Sequence, residues 1–301
     1  MESIKLLFTG SSGFLGLQIK PILDSWYDIT TLGLTEGDNL KLNLSNEIPI
    51  LNCPFDIVLH AAGKAHYIPN NIKEEGEFFK VNFQGTKNLC RAFEKSKIPK
   101  AIIFISTVAV YGLETGANIE ENSILNGSSP YALSKIQTEE YLKEWCLKNN
   151  VTLGILRPSL IAGKNPPGNL GAMINGIKTG KYLSIGNGSA RKSILMAEDI
   201  ARIIPKLAEV GGIYNICDNH HPSFAELEAL IAKQMNKKAP QSIPFWAAKG
   251  LAFVGDLIGH KFPLNSSKLD KIVKPLTFSN EKAKRELDWE PLDVLQNFKI
   301  G

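Results

Sequence analysis

The sequence predicts a doubly wound α/β sheet carrying a second, smaller lobe, and three observations predict it. Short apolar runs alternate with segments of helical period along the first half of the chain. Those runs are continuously apolar, as parallel strands covered on both faces must be, and the helices between them supply the crossovers that parallel strands require. A glycine-rich turn joins the first run to the first helical segment, and later the texture becomes less regular.

Residues 4–9 read as the first strand, ending at Gly10, and residues 14–26 as the first helix. Pro21 inside that helix should kink it or remove a hydrogen bond. Strands follow at 29–32 and 57–60, then a helix from about Glu77 to Lys97, a strand at 101–106, a helix at 130–149 and a buried strand at 151–156 stopped by Arg157-Pro158. Residues 1–165 thus form the sheet domain. Beyond Gly163, Pro166-Pro167-Gly168 makes a stiff loop, and residues 166–301 form mainly a lobe over the carboxyl ends of the strands, able to return late strands to the sheet. Residues 211–216 read as one such strand and 224–235 as a helix. The cleft between the two parts is where open α/β sheets bind ligands.

Composition narrows the class. With 301 residues, 44% hydrophobic and 21% charged, the chain has ample core, which excludes a disordered, fibrous or disulfide-scaffold protein. The longest apolar stretch, 101–113, is too short to span a membrane, and nothing at the N-terminus has the pattern of an export signal, so a cytoplasmic location is expected. The net charge of +4 is spread out, and Lys233, Lys237 and Lys238 read as a solvated helix end, so nucleic acid is not an expected partner. Cys53, Cys90, Cys146 and Cys217 lie far apart, and His220-His221 has no third ligand nearby, so no metal site is expected. His260 reads as decoration at a helix end. Phe245, Trp246, Leu251, Phe253 and Leu257 share helical spacing and read as a packing stripe.

Thr9-Gly10-Ser11-Ser12-Gly13-Phe14-Leu15-Gly16 is a G-x-x-G-x-x-G loop between a strand and a helix. Gly10 permits the tight turn, Gly13 lets backbone N–H groups approach a pyrophosphate, and Gly16 lets helix and strand pack closely at an anion-favouring helix N-terminus. Ser12, Phe14 and Leu15 belong to the same cradle. The acidic residue that usually meets the adenosine ribose should end the second strand, but Gly33 stands there, with Glu36 three residues late and no arginine for a 2′-phosphate. A dinucleotide is expected; NAD and NADP are not distinguished.

Tyr131-Ala132-Leu133-Ser134-Lys135 is a Y-x-x-x-K motif near the start of a helix, so phenol and ammonium share one face. A lysine cation beside a tyrosine lowers the phenol pKa and fits it for proton transfer near neutral pH. Upstream, the fifth strand ends Ile105-Ser106-Thr107, with hydroxyls at the carboxyl edge of the sheet.

With these motifs the chain resembles the extended short-chain dehydrogenase/reductase family, the nucleotide-sugar epimerases, dehydratases and reductases, over essentially its whole length. The resemblance implies a Rossmann-type fold and the catalytic set Thr107, Tyr131 and Lys135. It implies that His60-Ala61-Ala62-Gly63 lies along the cofactor, with Pro158 beside it, and that Val81-Asn82 and Gly85-Thr86 belong to the family's middle helix. On the substrate side it implies Asn169 and Leu170 at the sugar diphosphate and Arg191 as its clamp, a role suited to a guanidinium fork. Lys64 and His66, at the cleft edge, are further substrate-binding candidates.

The family's dehydratases carry Asp-Glu directly after the catalytic threonine, where this chain has Val108 and Ala109. Neither can transfer a proton, so dehydration and the related decarboxylation are disfavoured, and GDP-fucose synthase's additional cysteine has no counterpart. The resemblance then implies an NAD(P)-dependent C4 epimerase or, alternatively, a 4-ketosugar reductase, acting on a nucleotide sugar, UDP-linked by first expectation and serving cell-surface polysaccharide synthesis. It implies a homodimer as well. A non-catalytic NAD(P) sensor would lack the tyrosine or lysine, and a reductase of a flavonoid-type ketone or steroid would not need Asn169 and Arg191.

Overall fold

The computed structural model describes residues 3–65, 67–259 and 264–301. From the N-terminus, β1 (Lys5–Thr9) leads into α1 (Phe14–Leu23), followed by β2 (Asp28–Gly33), β3 (Leu40–Lys41) and β4 (Ile57–His60). Helix α2 (Ile72–Phe78) runs through a π-helical turn (Phe79–Gln84) into α3 (Gly85–Glu94), and β5 (Ala101–Ile105) is followed by a 3-10 turn (Val108–Tyr111) and β6 (Gly116–Ile119). Then come α4 (Pro130–Asn149), β7 (Thr152–Pro158), β8 (Leu160–Ala162), α5 (Gly168–Thr179), β9 (Ser184–Ile185), β10 (Ile194–Met196) and α6 (Ala197–Val210). The chain ends with β11 (Gly212–Ile216), α7 (Phe224–Gln234), β12 (Ser242–Ile243), α8 (Phe245–Ile258), α9 (Ser266–Val273), β13 (Leu276–Phe278), α10 (Glu281–Leu287) and α11 (Val294–Asn297).

Seven parallel strands form one sheet in the order β3-β2-β1-β4-β5-β7-β11. The chain winds outward from β1 on one side and then returns to β4 on the other, so the switch point lies between β1 and β4, above their carboxyl ends. The continuous apolar runs have a simple cause. Leu6, Phe8, Ile57, Leu59, Ile103 and Ile105 face one helical layer with α1 and α6, while Leu7, Val58, Ile102 and Phe104 face the other with α3 and α4.

Some sequence expectations need correction. α1 stops at Leu23, not residue 26, and keeps Pro21 inside it. The amide that Pro21 lacks would have met the carbonyl of Leu17, and both residues are exposed, so water can satisfy that carbonyl. The single helix expected from about Glu77 to Lys97 is instead α2, the π turn and α3. The apolar stripe on α8 does not pack: Ala248, Ala252 and Gly255 are buried, while Phe245, Trp246, Leu251, Phe253 and Leu257 are exposed.

Residues after 166 supply both β11 and α6 to the central sheet before completing the lobe. The lobe core gathers β8, β10, α5, α7 and α11. A capping box, Ser223 with Glu226, fixes the start of α7. Cys90, Cys146 and Cys217 are buried free thiols. Among the described residues no helix is long and apolar enough to cross a membrane, and no group of three or more His, Cys, Asp or Glu side chains could hold a metal ion.

Candidate active site

The loop after β1 and the segment after β4 meet at the switch point. Gly10 has φ +79°, and a Cβ there would lie 2.6 Å from the Ala62 nitrogen, so the two segments can be this close only with glycine at position 10. Gly13 is the N-cap of α1 with no side-chain capping bond, and no acidic residue occupies the first turn. The opening N–H groups of α1 are therefore available to an anion. Ser12 and Gly13 are exposed and Phe14 is half-buried. Leu15 contributes its side chain to the core, so only its backbone can face a ligand. Gly16 lies under Gly10, whose carbonyl oxygen would be 2.4 Å from a Cβ.

The acid missing at position 33 is supplied from the following loop. A Cβ on Gly33 would lie 2.5 Å from Asp38 Oδ2: the carboxylate occupies the space that the glycine leaves. Asp38 accepts from Ser11 Oγ at 3.0 Å and from the Thr35 amide and hydroxyl at 2.9 and 2.7 Å. Burial raises its pKa, but these hydrogen bonds outweigh it and hold the group ionised below its usual range. Position 33 itself carries no acid, as the sequence indicates; the carboxylate beside it comes from the loop.

After β4, the Ala61 amide donates to the Thr9 carbonyl and the Ala62 amide to Thr9 Oγ1. His60 is buried with Nδ1 2.6 Å from Thr9 Oγ1 and Nε2 2.8 Å from Thr86 Oγ1; burial, reinforced by the Lys135 charge, pushes its pKa down to about 3. The π turn brings Asn82 inward. Its side chain accepts from the Lys64 amide at 2.7 Å, donates to the Lys64 carbonyl at 3.2 Å and donates to Ser134 Oγ at 2.8 Å, tying the segment to α4. Gly63 closes the group: a Cβ there would be 3.0 Å from Asn82 Oδ1 and 3.3 Å from Lys135 Nζ.

α4 carries the candidate acid/base group. Ser129 caps it by accepting from the Ala132 amide, and Pro130 sits in the first turn, which sets Tyr131 at the helix start beside the end of β5. Lys135 Nζ donates to the Ile105 carbonyl at 2.8 Å and lies 4.5 Å from the Phe104 ring centroid; burial lowers its pKa to about 8. Thr107 Oγ1 accepts from the Ala109 amide at 3.1 Å. The phenol of Tyr131 is raised by burial, with the Thr107 side chain drawing it back. Val108 and Ala109 form the 3-10 turn that Thr107 caps.

Behind this group lies a buried network that the sequence reading passed over. Arg157 gives Nε and Nη2 to the Glu139 carboxylate at 3.1 and 2.6 Å and Nη1 to Tyr111 Oη at 2.9 Å, which donates to Asn215 Oδ1 at 2.7 Å. Tyr131, Lys135 and Glu139 follow one another at four-residue spacing on α4, and that spacing was the available signal. Ser159, directly after Pro158 at the carboxyl end of β7, has a buried hydroxyl without a partner. An orphaned donor at this edge fits a polar ligand.

On the lobe side, Asn169 is exposed in the first turn of α5, whose N-terminus has no side-chain cap. Leu170, expected at the substrate, is buried in the lobe core, so only its amide can take that part. Arg191 is half exposed, gives Nη1 to the His221 carbonyl at 2.7 Å and pairs with Glu226 at 3.3 Å. It lines a cavity of about 470 Å³ with Asn118, Thr277 and Val273. Lys64 Nζ lies 5.0 Å from the Tyr67 ring centroid. His66 and His260 lie outside the described residues.

The model of the NAD dependent epimerase/dehydratase family matches residues 6–217, well over half of the chain. The chain belongs to this family. A 4-epimerase of Escherichia coli O157:H7 named for N-acetyl-alpha-D-glucosaminyl-diphospho-ditrans,octacis-undecaprenol is 28% identical, over 92% of this chain and 88% of its own length. The UDP-glucose 4-epimerase of Vibrio cholerae is 25% identical, over 97% and 92%. Sugar-nucleotide reductases and dehydratases occur among the relatives at 26% and 27% identity. The structure of RMD from Pseudomonas aeruginosa complexed with NADPH superposes with a TM-score of 0.73 at 19% identity, covering 98% of this chain and 96% of that one. The protein is thus an NAD(P)-dependent epimerase or oxidoreductase of the extended short-chain dehydrogenase/reductase type.

Proposed function

We propose that the protein inverts C4 of a diphosphate-linked sugar by transient oxidation. One observation carries this reading: Thr107, Tyr131 and Lys135 meet at the carboxyl edge of β5, and the adjoining Val108 and Ala109 offer no second proton-transfer group. A bound nicotinamide supplies the acceptor and donor of hydride. Gly10, Ser12, Gly13 and the amides of Phe14, Leu15 and Gly16 would hold its pyrophosphate, with Asp38 at the adenosine ribose and Ala61, Ala62, Gly63, Lys135 and Pro158 along the rest. Tyr131 takes the proton from the sugar 4-hydroxyl and later returns it, and the Thr107 hydroxyl steadies the same oxygen. Asn169, the Leu170 amide, Arg191 and Lys64 would hold the diphosphate side. Nucleotide and polyprenyl carriers share that diphosphate, and the two similar epimerases described above are named for one of each.

The test is C4 inversion of UDP-linked and polyprenyl diphosphate-linked N-acetylhexosamines with substoichiometric NAD. Tyr131→Phe should lower turnover by at least about a hundredfold, the scale of lost acid/base catalysis, while dinucleotide affinity stays within about twofold. Wild-type turnover in that variant would sink the mechanism. One observation favours a second reading: burial raises the Tyr131 pKa, which favours the protonated phenol, the form that donates to a 4-keto oxygen. Stoichiometric NAD(P)H consumption by a 4-ketosugar, without inversion, would establish the reductase instead.

A further inference from the structure

α8 turns its small residues inward and its large ones outward. Only Ala248, Ala252 and Gly255 are buried, at spacings of four and three, against Ile185 and Leu269. Trp246, Leu257 and Phe253 are 77, 75 and 64% exposed, and four further large apolar side chains on the helix are 42–58% exposed. Burial selects the opposite arrangement, and a contiguous apolar patch, unlike scattered single residues, marks a docking surface. Its one acidic residue, Asp256, is engaged by the Ser266 amide and hydroxyl, which joins α8 to α9.

The surroundings indicate what is docked. Between 233 and 274 the sequence has eight lysines and two aspartates, so this segment carries +6 while the whole chain carries +4. Lys249 stands exposed on α8 itself. Lys237 and Lys238 precede β12, which leads into α8, and the Lys237 ammonium donates to the Lys178 carbonyl. A second copy of this face would bring two strongly positive segments together, which opposes self-association. An anionic surface suits it. At 14 residues, α8 is about 21 Å long, shorter than a hydrocarbon core of about 30 Å, so it suits lying in an interface.

We propose that α8 docks the protein on an anionic phospholipid bilayer, seating Trp246, Phe253 and Leu257 among the acyl chains while the lysines meet the headgroups. The docked helices border the candidate substrate side, because Val273, the last residue of α9, lines the Arg191 cavity. The proposal is independent of the epimerase reading, since docking is measured without substrate.

The experiment is cosedimentation of the full chain with vesicles of phosphatidylcholine alone and of phosphatidylcholine mixed with phosphatidylglycerol, beside the variant Trp246→Glu/Phe253→Glu/Leu257→Glu. All three substituted side chains are exposed, and dinucleotide binding with the oligomeric state controls for folding. The wild type should partition onto the anionic vesicles, less so as salt rises, and the variant should lose at least about tenfold of that partitioning. Absence of wild-type binding, or equal binding by the variant, overturns the proposal. So does a wild-type dimer without vesicle binding that the variant converts to monomer, since a second copy would then be the occupant.

Discussion

Asp38 illustrates what one side chain can decide. Its carboxylate fills the space beside Gly33, anchored by Ser11 from the glycine loop and by Thr35. A carboxylate there can accept from a ribose 2′-hydroxyl and repels a 2′-phosphate. Asp38→Asn should keep most of the local hydrogen bonds but narrow the ratio of NADPH to NADH dissociation constants by about tenfold, read by fluorescence titration. An unchanged ratio would remove Asp38 from cofactor selection. The Tyr131 and Lys135 pairing was legible because a four-residue interval has one geometric meaning on a helix. Asp38 was not, since a loop between β2 and β3 can return to any of several places and the sequence does not say which.

At the scale of elements, continuous apolar runs revealed the strands because each strand of this sheet serves two cores. The π turn stayed hidden: one extra residue between α2 and α3 hardly disturbs apolar spacing, yet it turns Asn82 toward Lys64 and Ser134. The outward face of α8 was equally hidden, since periodicity tells which residues share a face and not which way that face points. Arg157 on β7 ties together α4 through Glu139, the 3-10 turn after β5 through Tyr111 and, by way of Tyr111, β11 through Asn215. Its guanidinium is 2% exposed and paired with a fully buried Glu139. Arg157→Ala leaves that carboxylate buried and unpaired, and should cost about 3–5 kcal/mol in urea unfolding. Arg157→Met with Glu139→Leu should recover much of the loss, because neither charge is then stranded.

For the whole molecule, the buried His60 sets part of the acid limit. Its folded pKa of about 3 lies below the ordinary 6.5, so on acidification the unfolded chain takes up a proton that the folded one refuses. That contribution is complete above about pH 6.5 and is lost as pH falls towards 3, at roughly 1.4 kcal/mol per pH unit. Asp199 acts in the opposite sense: burial raises it to about 6, so the folded state gains protons first and gains stability as pH falls from about 6 towards its ordinary value. The histidine window is the wider one. His60→Gln should therefore flatten the fall in unfolding free energy between about pH 6 and about pH 4 by roughly 1 kcal/mol per unit. An identical slope in denaturant titrations of the two proteins would refute the assignment.

The late position of β11 bears on how the chain is made. The strand beside β7 is separated from it in sequence by residues 159–211, and Asn215 holds the last hydrogen bond of the Arg157 network. During synthesis, everything through β7 emerges while that edge is still bare, with its N–H and C=O groups open to another chain and the guanidinium network incomplete. Tyr131 and the glycine loop are thus translated well before the strand that closes their scaffold. This interval is when the nascent protein is most exposed to mispairing.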